Sequence, residues 1–161
     1  LKLVFKSKGP KDLSALPRKL NQLRADELTH SLGQTALRLL TEGFENESDP
    51  YGQPWKKPIA RQGQTLSDTG QLRNSWRVAS TPTIVRLKNA TVYAAIHQFG
   101  GAIVPKRAHA LKFKLGNRWV TSRRVKMPRR SMLPIQSKGL GKTWEKAFRD
   151  ECQAYLEELF S

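Results

Sequence analysis

Apolar residues recur at helical spacing early in the chain. Leu16, Leu20, Leu23, Leu28, Leu32, Ala36, Leu39 and Leu40 step mostly by three or four, with one step of five after Leu23. This spacing predicts a long helix over Leu13 to Gly43. Ser14 is its candidate cap, Pro17 fits its first turn, and Gly43 is a natural stop. Gly33 weakens its middle, because glycine is a poor helix former. The step of five rotates the stripe. At 1.5 Å per residue, some 26 helical residues span about 40 Å, long enough to leave part for another subunit. A second stripe closes the chain. Trp144, Phe148, Cys152, Tyr155 and Leu159 step by four, four, three and four, which predicts an amphipathic helix from a Thr143 cap to Phe160.

The pattern between these helices is different. Asn46 to Thr65 is polar and broken by Asp49-Pro50, Tyr51-Gly52 and Gln53-Pro54, so it reads as a loop with Trp55 as its apolar anchor. Asp68 or Thr69 can cap a short helix through Leu72 and Trp76. Trp76 to Ser80 and Ile84 to Lys88 are β-prone runs joined at Thr81-Pro82. Tyr93, Ile96 and Phe99 favour a short helix that Gly100-Gly101 ends. His109 to Leu115 then alternates strictly, Gly116-Asn117 supplies a two-residue turn, and Arg118 to Val125 returns. That register sets Lys114 across from Trp119, Lys112 from Thr121 and Phe113 from Val120. Lys112, Lys114, Trp119, Thr121 and Arg123 share one face, and Leu111, Phe113 and Val120 the other. Met127-Pro128 opens a last loop. The reading is an α+β fold: a small, mostly antiparallel sheet with a basic β-hairpin, flanked by a long N-terminal helix and a C-terminal helix.

Charge changes this picture. The 161 residues carry a formal net charge of +16, beyond what solubility asks of a small domain. Thr69 to Trp144 holds 16 basic side chains and no acidic one, and the remainder is neutral. A field of that kind attracts polyanions or acidic partners. The candidate contacts are Lys112, Lys114, Trp119 and Arg123 on the hairpin, followed by Arg124, Lys126, Arg129 and Arg130. An equally ordinary reading has the lysine stems lying over Trp119 on a solvated face.

Candidate chemistry is sparse. No run approaches the roughly 18 apolar residues of a membrane span. The single cysteine, Cys152, excludes an internal disulfide and sits on a helical stripe like a core residue. His30, His97 and His109 have no metal-ligand spacing, and no acid accompanies His97 in sequence. Gly141-Lys142-Thr143 lacks the first glycine of a phosphate loop, because position 136 is Gln136. The reading is therefore of a non-enzyme with no cofactor and no metal.

Four segments together resemble one family. They are Phe44 to Trp55 with its Asp-Pro-Tyr-Gly and Trp, Leu66 to Ser75 with Thr69-Gly70 and Leu72-Arg73, Tyr93-Ala-Ala-Ile-His97-Gln98-Phe99-Gly100, and Met127 to Leu133. In order and spacing they are similar to the phage virion morphogenesis, or tail completion, family of tailed bacteriophages, including Mu-like phages. Arg130-Ser131-Met132 departs from the family's Arg-Pro-Phe, and Pro134 stands where glycine is usual. The resemblance implies one domain over residues 1–161 and marks residues 109–125 as an inserted hairpin. It implies a non-enzymatic neck protein of the virion, made in the host cytoplasm, that completes the tail end and supports head–tail joining. Its partners would be neighbouring copies in a ring, commonly six-fold, with connector and tail-terminator or tail-tube proteins, and DNA in the channel. Motif residues Trp55, Thr69, Arg73, Trp76, Tyr93, His97 and Phe99 are candidate anchors of the core or of a subunit contact. The rival reading is a basic module whose chief act is to grip duplex DNA.

Overall fold

The computed structural model describes residues 24–59 and 62–160. The part of the first helix expected over 13–23, with Ser14 and Pro17, lies outside them. From Ala25 the helix is present as α1, Ala25–Glu45. Asp26 and Glu27 sit in its first turn, where acidic charge suits the helix dipole. Leu28 and Leu32 are half-buried, and Ala36, Leu39, Leu40 and Phe44 are buried. The apolar spacing has become a packing face.

Gly43 does not stop α1. The helix runs two residues further, and its left-handed stop residue is Glu47, at φ 50°. The Asn46 N–H closes on Glu42 and the Ser48 N–H on Gly43, which satisfies the last carbonyls as a Schellman turn does. Tertiary bonds hold Glu47 there: its carboxylate accepts from the Thr65 N–H at 2.6 Å and from Lys57.

The closing helix is α4 by this numbering, Lys142–Phe160. It begins one residue before Thr143, which lies in the first turn and is not the cap. Helix α4 runs antiparallel to α1. Glu151 accepts from the hydroxyls of Ser31 and Thr35, and the Tyr155 hydroxyl meets the Arg24 backbone. Between the two helices lie α2 (Gln71–Asn74), β1 (Trp76–Thr81), β2 (Ile84–Asn89) and α3 (Ala94–Phe99). Then come β3 (Gly101–Ile103), β4 (Leu111–Leu115), β5 (Arg118–Ser122), β6 (Val125–Met127) and a 3₁₀ turn, Gln136–Lys138.

The α+β class and its flanking helices are present. The strands form three separate antiparallel ribbons, β1–β2, β3–β6 and β4–β5, where one sheet was expected. The β4–β5 register sets Lys114 opposite Trp119, Lys112 opposite Thr121 and Phe113 opposite Val120, as the alternation requires. The returning run is not one strand to Val125. It breaks after Ser122, whose hydroxyl accepts from the Arg124 N–H and donates to the Arg124 carbonyl. The chain then pairs Val125–Met127 with β3. Arg123 consequently lies in the bend and not on the hairpin face. At α2, Gly70 occupies the cap position with φ 73°, and the Thr69 hydroxyl reaches only the Gln71 N–H at 3.4 Å. Trp76 starts β1, because the helix ends at Asn74.

The core joins α1, the Trp55 loop, Leu72, Trp76, Met132 and Trp144. Two glycines set its close approaches. A Cβ on buried Gly33 would stand 2.6 Å from Val78 Cγ1, so Gly33 is where β1 presses onto α1. A Cβ on Gly141 would overlap the Pro50 carbonyl and stand 2.9 Å from its carbon. Helix propensity alone favours Gly33→Ala by about 1 kcal/mol. The stiff Val78 side chain reverses that sign. Gly33→Ala should lower the melting temperature, and adding Val78→Ala should restore part of the loss. Gly141→Ala should lower it further, because backbone yields less than a side-chain tip. Thermal melts of the three variants check the order.

Candidate partner-binding groove and basic hairpin

The loop after β6 has no strand to pair with, yet Arg130, Ser131 and Met132 are buried. Its backbone must find partners elsewhere. Gln98, buried on α3, supplies most of them. Its amide nitrogen donates to the Leu133 carbonyl at 2.9 Å, and its amide oxygen accepts from the Met132 and Leu133 N–H groups at 2.8 and 3.0 Å. The Trp55 indole donates to the Ser131 carbonyl at 2.9 Å, and the Arg130 N–H donates to the His97 carbonyl at 2.8 Å. Tyr51 secures the following stretch by accepting from the Ile135 N–H and donating to the Gly139 carbonyl. Trp55 also stacks edge-on against Phe44, with centroids 5.4 Å apart.

Beside this clamp, α3, residues 56–59, residues 65–72 and the hairpin line one groove of about 1070 Å³. Phe113, Leu115 and Val120, the hairpin's apolar face, form one wall. Ile59, Leu66 and Leu72 also line it. Polar groups sit among these walls: Thr65, His97 and Arg130, with Lys56, Lys57 and Lys126 and a single acid, Asp68. The Thr65 hydroxyl is fully buried, and neither it nor His97 Nδ1 has a hydrogen-bond partner among the described residues.

The candidate residues separate into groups. Thr69, Tyr93, His97, Lys126 and Arg130 line the groove. Arg130 is 6% exposed, and its guanidinium donates to the Lys56 and Lys57 carbonyls at 2.6 and 3.4 Å. It is therefore an interior strut, not part of the outer basic surface where the charge run had set it. Trp55 and Trp76 are core, and Arg73 pairs with Glu45 at 2.5 Å. Tyr93 meets the His97 ring edge-on at 6.1 Å and donates to Gln71 Oε1 at 3.2 Å. Phe99 is 67% exposed, outside the large groove. Arg129 is exposed and donates to Ser131.

On the hairpin's outer face, Lys112 lies over the Trp119 ring, 5.3 Å from its centroid. Trp119 is nonetheless 67% exposed. Lys112, Lys114, Arg123, Arg124 and Lys126 are exposed, and none of them joins an ion pair among the described residues. The acids that do pair there lie on α1, α4 and the Glu47 turn. Nothing among the described residues gathers three or more His, Cys, Asp or Glu as a metal site would. No helix among them is long and apolar enough to cross a membrane. Burial, and then Glu151, pushes the Cys152 thiol up, as for a packed residue.

Sequence periodicity missed Gln98, Tyr51 and Thr65. Gln98 did stand in the Tyr93–Gly100 motif, but spacing marks only apolar faces, and a buried amide answers to a distant loop. Removing it should be costly. Gln98→Ala strands three backbone groups in the interior, worth about 1–3 kcal/mol each when buried and unpaired. Denaturant unfolding should show that loss.

His97 gives a pH signature. Burial first, and then the Arg130 charge, holds its imidazole below the ordinary value of 6.5. The unfolded chain therefore takes up a proton before the folded one does. Its contribution to stability is full above pH 6.5 and declines as pH falls toward the folded pKa. The melting temperature should drop between neutral and mildly acid pH, and His97→Gln should flatten that slope.

Some of the motif residues build the clamp: Phe44 and Trp55, His97 and Gln98, and the Arg130–Leu133 loop. No curated protein and no solved structure matches the chain. The family model for the phage virion morphogenesis family matches residues 11–157. That span takes in both flanking helices, the clamp and the hairpin, and the chain belongs to the phage virion morphogenesis family.

Proposed function

We propose that this chain is a structural protein of the phage neck. It completes the tail end and supports the joining of head and tail, acting as one copy in a six-fold ring. Its neighbours are the connector on one side and tail-terminator or tail-tube proteins on the other. Membership of a phage morphogenesis family supports the virion role. The observation that carries the finer reading is the hairpin: exposed basic groups without acid partners among the described residues, on a ribbon whose scaffold helices are charge-paired. Such a surface is held in readiness for an acidic neighbour or for DNA in the channel. The inserted hairpin, residues 109–125, is the element that sets this chain's own contact.

A second reading rests on the lysines around Trp119. They supply the phosphate contacts that duplex DNA offers, its paired bases being closed to stacking on the exposed ring. It predicts binding to free duplex DNA with a steep fall as salt rises. Absence of binding at about 0.1 M salt, where surface charges are still felt over about 10 Å, sinks that reading.

The neck reading is tested in the phage. Without the chain, full heads and separate tails should accumulate, and supplying it should join them. A map of the intact neck should show it between connector and tail. Its appearance only in the baseplate, or joined particles formed in its absence, would overturn the proposal.

A further inference from the structure

The groove under the hairpin is unlike an ordinary surface depression. Its walls include Phe113, Leu115 and Val120, and the exposed Lys56 and Lys126 line it without an ion pair among the described residues. An occupant that suits it offers apolar side chains for the Phe113 and Val120 wall. It also offers carboxylates, which accept from lysines.

The same chain carries such a segment. Residues 150–161 hold four acids and no base. Over the described part, Glu157 is exposed beside half-buried Leu156 and Leu159. Asp150 and Glu157 face solvent, engaged only within their own helix by Lys146 and Gln153 among the described residues.

The two halves lie at opposite ends of the helix pair. Tyr155 meets Arg24, at the start of α1. The groove loop is tied to the other end, where Gln64 donates to the Phe44 carbonyl and the Thr65 N–H to Glu47. The 21 residues of α1 between them span about 30 Å. A copy therefore cannot fill its own groove.

We propose that the groove receives the acidic, apolar end of α4 from a second copy, in a head-to-tail contact. The contact is heterologous: one copy's groove takes the next copy's helix end. It closes into a ring when the rotation per copy allows. The inference rests on the ring reading above and names its interface.

Charge reversal on exposed residues tests it. Lys126 on the rim and Glu157 on α4 are both exposed, so neither change disturbs the core. Sedimentation velocity of the full chain is run over rising concentration in about 0.15 M salt, where the Debye length is about 8 Å. The wild-type chain should self-associate. Lys126→Glu and Glu157→Lys should each weaken association by about tenfold or more, since each sets like charges together. The double variant should associate more nearly like wild type than like either single variant. A wild-type chain that stays monomeric, single variants that associate normally, or a double variant no better than the singles would each overturn the proposal. So would a groove that takes only another neck protein. A ring seen in the intact neck alongside an ineffective charge swap would remove this interface and leave the neck reading standing.

Discussion

Everything around the groove depends on how the 130–133 loop is held. It is buried without strand pairing, so its peptide groups need other partners. The Gln98 side chain meets three of them, in the manner of a strand edge. The Trp55 indole and the His97 carbonyl take two more. These bonds join three segments far apart in sequence. Without them α3 would lose its attachment, β6 would have no fixed continuation, and the hairpin between them would have no set direction.

The clamp also explains why positive charge is tolerated inside a chain already so basic. Arg130 is buried, and its guanidinium donates to the Lys56 and Lys57 carbonyls. The carbonyls solvate the charge at short range. His97 is partly desolvated and also feels this charge, and the two hold its imidazole below the ordinary value. Structure and electrostatics are coupled at this point. The outer basic groups are treated differently, left in water on a ribbon where burial costs nothing.

The two long helices form the frame of the described residues. Helices α1 and α4 pair charges within themselves and pack through Trp144 and the Glu151 hydroxyl contacts. The ribbons are short, two-stranded and mostly exposed, which leaves them weak alone.

The amino-acid pattern alone determined the elements with strong periodicity. The stripe of α1 after Ala25, the stripe of α4 and the β4–β5 register were all legible, because each is a local repeat of 3.6 or 2 residues. The charge segregation was legible for the same reason; it needs only counting. Other features required the tertiary structure. Gly33 read as a weak point of a helix, and only the approach of Val78 shows why it is glycine. Gly43 read as a stop, yet tertiary bonds to Glu47 moved the stop onward. Arg130 read as surface charge, yet distant carbonyls took it inside. Arg123 read as part of a strand face, yet pairing with β3 required the bend after Ser122. In each case the deciding contact lies many residues away in sequence, where no local repeat can register it.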